Sequence, residues 1–354
     1  FGAFSLSLLA GGFAAPMVGR RIDRHGAGAV MSIGSLAAST MLVAAALAPE
    51  LISFVVALIA LQIASALILY DAAFAALVQS YGSQGRSRIT QLTLIAGFAS
   101  TLFWPLTTWL DGVMDWRQVF LVFAALNFAL CLPLHLILKI APPKPETEPA
   151  PADPGEKPHV QHAPVPKHLQ RRVLVLVTAG FALSGFMLSA VLAQMVPVLT
   201  ALGIGSVSLW IAALFGPAQV LVRLVSMMFG VRRHPLFMTL IASSMLPLAV
   251  MILTLSAPMT AGAVAFSILL GFGSGLKSIV QGALPLALFG SASYGTRLGQ
   301  IALPRQVLAA VAPFAFAFMV DTAGQTTAMV VLVVIAGFGL AAFVEVARLQ
   351  KRLE

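Results

Sequence analysis

Nearly all the positive charge in this chain falls in every second gap between long apolar runs. About 20 apolar residues, at about 1.5 Å each in a helix, cross a hydrocarbon core of about 30 Å. Eleven runs approach or exceed that length, over 1–19, 28–48, 51–80, 89–110, 118–139, 173–200, 207–230, 236–256, 260–289, 297–319 and 325–347. The pattern predicts an all-α, polytopic membrane protein.

The charge also predicts which way the chain faces. One set of gaps holds Arg20, Arg21, Arg24, Arg86, Arg88, Lys139, Lys144, Lys157, Lys167, Arg171, Arg172, Arg232, Arg233, Arg297, Arg348, Lys351 and Arg352, seventeen of the 21 basic residues. The alternate gaps hold Arg117 with Glu50, Asp111, Asp115 and Asp321. Lys and Arg are retained on the cytoplasmic side. The first set and the C-terminus are therefore expected in the cytoplasm, in a bacterial-type inner (plasma) membrane, with Phe1 on the outer face.

Composition removes other classes. The chain is 59% hydrophobic and 9% charged, against about 25% charged in soluble domains. The net charge of +9 is scattered over short loops without interleaved aromatics. That argues against nucleic acid and for contact with anionic lipid heads. The single cysteine, Cys131, excludes an intrachain disulfide and a cysteine metal site. No cofactor and no metal are expected.

Residues 141–170 are rich in Pro, Glu and Lys and nearly free of large apolar side chains. Such a stretch cannot bury enough surface to offset its chain entropy. It reads as a flexible cytoplasmic linker, with His159, His162 and His168 solvated within it. The expected division is 1–140, linker 141–172, and 173–354. Phe1 already lies in an apolar run and no basic leader precedes it. One span is therefore expected to be missing at the front, giving six plus six around the linker, a plan of paired repeats with a midplane substrate site.

The gap after the first run reads Gly19-Arg20-Arg21-Ile22-Asp23-Arg24-His25-Gly26. It resembles the signature loop G-x-x-x-D-R-x-G of the major facilitator superfamily, which joins that family's second and third helices on the cytoplasmic side. The resemblance implies two pseudo-symmetric helical bundles, with eleven of twelve helices present and the cavity-lining first helix absent. It also implies that Gly19, Asp23, Arg24 and Gly26 form a conformational latch bracing the outward-facing state. Glycines suit the turns at helix ends, and Asp23 among arginines suits a breakable charge pair. The chain departs from the family at Ala27-Gly28-Ala29, where further basic residues are common. The second-half loop, Gly230-Val231-Arg232-Arg233-His234, lacks the acid.

Four ionisable residues lie deep in runs: Asp71, Arg223, Lys277 and Arg305. Counting about 1.5 Å per residue, each lies roughly 12–18 Å from the cytoplasmic face. A charge at that depth costs about 2.5–3.5 kcal/mol on insertion scales, so such residues mark a polar cavity. The resemblance places them on the family's fourth, eighth, tenth and eleventh helices, which line or flank its cavity. Three cations against one acid favour an anionic substrate, bound by Arg223, Lys277 and Arg305. Basic residues on the eighth and eleventh helices are also similar to the oxalate/formate and monocarboxylate branch. Asp71, the lone acid, is the proton-coupling candidate, with the Tyr70 hydroxyl beside it. Static pairing of Asp71, snorkelling of Arg223 and Lys277, and a structural role for Arg305 stay open.

Pro105, Pro197, Pro217, Pro304 and Pro313 are expected to interrupt their spans. Gly271, Gly273 and Gly275 are expected to allow close helix packing or a hinge. Trp109, Trp116 and Trp210 sit near the outer ends, as an interfacial belt does. There is no HExxH, no acid-paired histidines at helical spacing, no nucleophile elbow and no GxxxxGK[ST] loop. An enzyme and an ATP-driven pump are therefore not expected. The expected function is that of a monomeric secondary transporter for a small anionic solute. Efflux of a neutral or cationic drug-like compound is the alternative, disfavoured by the lack of an antiporter glycine-proline pattern over 97–105. A non-transporting scaffold or receptor of transporter descent is the alternative from another class.

Overall fold

The computed structural model describes residues 2–140, 165–230 and 234–352. Among them every regular element is helical. Lipid offers no partner to a bare N–H or C=O, and a helix pairs both within one segment. Contacts group the described chain into two units, the first made of 1–89, 99–165 and 285–303, the second of 90–98, 166–284 and 304–354.

The helices of the first half are α1 (Gly2–His25), α2 (Ala27–Ala46), α3 (Leu51–Ala66), α4 (Tyr70–Tyr81), α5 (Gly85–Gly97), α6 (Ala99–Val113), α7 (Trp116–Leu126) and α8 (Leu132–Ile140). In the first unit α2 packs on α3, α7 and α8, and α1 packs on α3. Its interior includes Ile22, Phe74, Ile89 and Tyr294, each at most 2% exposed. Arg117, the basic residue of the acidic gaps, lies over the Trp116 ring and donates to the Ala48 carbonyl at 2.8 Å.

The second half contains α9 (Lys167–Ala193), α10 (Met195–Ala201), α11 (Ser208–Ala213), α12 (Phe215–Val225), α13 (Pro235–Ser256), α14 (Thr260–Phe289), α15 (Tyr294–Ala323) and α16 (Gln325–Lys351). In the second unit α16 packs on α9 and α13. Met187, Leu199, Leu246, Leu253, Phe266, Phe316 and Leu332 form its core. The division between units falls inside α5, α14 and α15.

Nine helical stretches among the described residues are long and apolar enough to cross a membrane: Ala27–Leu47, Leu51–Tyr81, Trp116–Lys139, Lys167–Ala193, Gly205–Met228, Pro235–Ser256, Thr260–Phe289, Tyr294–Ala323 and Gln325–Lys351. Of the two other expected spans, residues 2–19 lie within α1, and 89–110 within α5 and α6, which are parted at Phe98. Large apolar side chains face outward, with Phe13 67% and Leu51 76% exposed. In water such surface would drive association; in lipid it is at home. Most of the expected linker, including His159 and His162, falls in 141–164, outside the described residues, as do Arg232 and Arg233. α9 opens at Lys167.

The prolines interrupt less than expected. α6 runs through Pro105, and α15 runs through both Pro304 and Pro313. The breaks fall at Leu67–Leu69, Phe98, Gln194 and Leu214. Two of these lie three residues before Pro197 and Pro217. A proline ring crowds the carbonyl one turn upstream, which moves the distortion back to Gln194 and Leu214. The three glycines of α14 serve packing. A Cβ on Gly271 would fall 2.7 Å from Ala218, one on Gly275 would fall 2.7 Å from the Gln219 carbonyl, and one on Gly273 would fall 2.9 Å from Leu246. α14 is thus pressed against α12 on one side and α13 on the other.

Candidate functional site

Two of the expected substrate cations meet within the second unit. Lys277 of α14 is 7% exposed. A Cβ built on Gly185 of α9 would lie 3.3 Å from the Lys277 Nζ and 3.5 Å from the Arg305 Cγ of α15. Arg305 is near enough for its charge to act on Lys277. Among the described residues Lys277 has no hydrogen-bond or ion-pair partner. Hydrogen bonds near this point join helices in two separate pairs, α9 to α15 and α12 to α14. Ser189 of α9 donates to the Ala309 carbonyl of α15 at 2.7 Å. Gln219 of α12 donates to Ser274 of α14 at 2.6 Å.

Two like charges brought together in a low-dielectric interior repel. An ammonium buried without a partner also keeps its desolvation cost. An anion placed between the two groups reverses both terms. A neutral or cationic ligand reverses neither.

Arg223 of α12, 6% exposed, is held elsewhere in the same unit. Its Nη1 donates to the Thr93 carbonyl of α5 at 3.2 Å. A Cβ on Gly97 would fall 2.5 Å from that nitrogen. The helix stops at Phe98, so the last carbonyls of α5 lack the amides that would continue it. A cation at a helix C-terminus is favourable, and Gly97 leaves the room for it.

The signature loop is built differently from its sequence reading. Gly26 makes the expected turn, with φ 83°. Gly19 does not turn; it lies inside α1, where its missing side chain admits the Gly295 backbone, and a Cβ there would run into the Gly295 carbonyl. Asp23 takes amides rather than arginines. It accepts from the Gly295 N–H at 2.9 Å, the Thr296 N–H at 2.7 Å and the Thr296 hydroxyl at 2.6 Å. These amides open α15, whose first turn has no intrahelical acceptor for them. Asp23 therefore acts as an N-cap supplied by another helix, with its charge at the favourable end of the dipole. Arg24 is exposed in the last turn of α1. Gln79 of α4 holds the loop, accepting from the Ala27 N–H at 2.7 Å and donating to the Ile22 carbonyl at 3.0 Å.

Asp71 belongs to the first unit, in the opening turn of α4 just after the break at Leu67–Leu69. Its charge acts on Tyr294, the first residue of α15. Tyr70 stacks its ring against Phe74, 5.4 Å between centroids. Broken helices with a polar group at the break are a recurring way to build a transport site.

Sequence reading missed Gly185, Thr93, Gly97, Gln79, Gly295 and Thr296. The partner of Asp23 is more than 270 residues away and is a pair of backbone amides, which no side-chain pattern announces. Gly185 carried a weak signal, as a glycine in a long apolar helix.

The family model described as Major Facilitator Superfamily matches residues 2–313. Among solved structures, the human organic anion transporter MFSD10 (TETRAN) is similar over 97% of this chain and 83% of its own, with TM-score 0.71 and 17% identity. The transporter FucP in its outward conformation covers 97% of this chain and 88% of its own, with TM-score 0.69 and 12% identity. The proton:xylose symporter XylE, bound to 6-bromo-6-deoxy-D-glucose, covers 97% and 84%, with TM-score 0.67 and 14% identity. No curated protein sequence matches the chain. At these identities the structural likeness concerns the fold.

Proposed function

The chain belongs to the major facilitator superfamily, and from that premise we propose that this integral membrane secondary transporter carries a small anionic solute by alternating access. One observation carries the choice of cargo. The Lys277 ammonium is nine-tenths buried beside Arg305, with no partner among the described residues. The family fold alone serves sugars and anions alike among the similar structures, so it does not choose the cargo. Arg305 offers a carboxylate a planar fork and Lys277 a point charge. Arg223, resting on the Thr93 carbonyl, completes the set of substrate cations.

Asp71 is the proposed proton-coupling group, and Gly19, Asp23, Arg24 and Gly26 the conformational latch. The sorting of Lys and Arg supports a cytoplasmic C-terminus, and a bacterial-type inner membrane is the proposed location. The bundles are proposed as 1–140 and 173–354, joined by the linker 141–172, in a protein acting as a monomer.

Neutralising a substrate cation tests the cargo. Arg305→Gln and Arg223→Gln are each expected to weaken binding of the transported anion by about tenfold or more, while the protein still elutes as a folded species. Normal anion transport by both variants would remove the anion assignment. The coupling role has its own test in proteoliposomes. Asp71→Asn is expected to end the dependence of uptake on a proton gradient while exchange without a gradient persists. Unchanged gradient dependence would clear Asp71 of that role.

A further inference from the structure

We infer that Gln306 reads a hydroxyl on the substrate, so that the cargo is a hydroxylated carboxylate. This rests on the anionic reading of Lys277 and Arg305 and adds a specificity-determining residue that carries no charge.

Gln306 follows Arg305 on α15, and the two flank one face of that helix. Val311, Phe314 and Phe318 mark the exposed stripe of α15. At about 100° per residue, Arg305 and Gln306 fall on either side of the opposite face. Ala310, one turn after Gln306, is buried. The Arg305 side of that face meets α9, through Gly185 and through the Ser189 bond to the Ala309 carbonyl. Gln306 therefore faces protein and not lipid.

Its amide lacks a partner there. The Gln306 Oε1 is buried and accepts no hydrogen bond among the described residues. Other glutamines of this unit bond across helices. Gln219 donates to Ser274 at 2.6 Å, and Gln325 donates to the Val198 carbonyl at 3.1 Å. A buried amide oxygen left unsatisfied is costly, and lipid offers no donor to relieve it. Beside a substrate cation, the cost is relieved when the substrate supplies the donor.

That donor must tolerate cations. An ammonium would stand near Lys277 and Arg305 and be repelled. A hydroxyl is neutral. It also both donates and accepts, so it satisfies the amide in either orientation. With the acid group on Lys277 and Arg305, the ligand class that fits is a hydroxycarboxylate.

The experiment is a thermal-shift titration of the purified protein with propionate, lactate and 3-hydroxypropionate, at constant ionic strength against chloride. The three share a carboxylate and a three-carbon chain and differ in the presence and place of the hydroxyl. The parent should bind at least one hydroxy acid about tenfold more tightly than propionate. Which one it prefers reports the spacing of the two groups. Gln306→Met keeps a straight side chain of similar length without the amide. It should bind propionate as the parent does and show no preference. Gln306→Leu is the second variant, with the same expectation. Equal binding of all three acids by the parent would overturn the role of Gln306 and leave the anionic reading standing. A preference kept by both variants would do the same, and a lower ligand-free Tm in them would then assign Gln306 to packing. No binding of any of the three by the parent would overturn the anionic reading and the role of Gln306 with it.

Discussion

Lys277→Met is expected to abolish anion binding and at the same time to raise the thermal stability of the ligand-free protein. The two effects have one cause. The ammonium sits in a nearly closed interior beside a second cation, so without an anion it is a net cost to the fold. Methionine keeps the straight chain and fills the same volume without a charge. Removing one partner of a buried charge pair costs about 2–5 kcal/mol of binding, or roughly 30-fold to several-thousand-fold in affinity. A lysine that held helices together would behave in the opposite way: its loss would lower Tm and leave binding largely intact. Melting curves with and without the transported anion separate the two.

Asp23→Ala is expected to cut transport below about one-tenth while the anion still binds. The carboxylate accepts three hydrogen bonds at the N-terminus of α15, and charge-assisted bonds of this kind contribute about 1.5–3 kcal/mol each. Losing them shifts the balance of conformational states by enough to redistribute the population. The proposed substrate cations are untouched, because Asp23 and the amides that donate to it lie in the first unit and Lys277 and Arg305 in the second. Gly19→Ala should give the same phenotype by a different route, since its methyl collides with the Gly295 carbonyl. Asp23→Asn, which keeps one acceptor oxygen, should fall between. Uptake and binding measured on the three variants decide the matter; wild-type uptake by Asp23→Ala would end the latch assignment.

The helical architecture was legible because lipid imposes it. An apolar run long enough to cross has one backbone solution, and the gaps carry the charge that orients it. The signature loop was legible in its residues but not in its partners. Asp23 looked like a carboxylate waiting for arginines and instead caps a helix distant in sequence. Gly19 looked like a turn and is a point of close backbone approach. The breaks at Phe98 and Leu67–Leu69 were hidden because hydropathy does not change across them, whereas Pro304 and Pro313 advertised breaks that α15 does not make.

Of the four buried charges, depth in the span was readable and company was not. Lys277 and Arg305 converge on Gly185, and Arg223 turns to the end of α5. Those differences depend on which helices pack together. α14 lies against α12 and α13 through glycines whose spacing was visible but whose neighbours were not.

The most direct test of the account is exchange in proteoliposomes, with the purified protein loaded with an unlabelled carboxylate and challenged with the labelled one. Saturable exchange of at least one small organic anion is expected, lost in Lys277→Met. Exchange or efflux of a neutral or cationic compound by the parent and Lys277→Met alike, with no carboxylate moved by either, would contradict it.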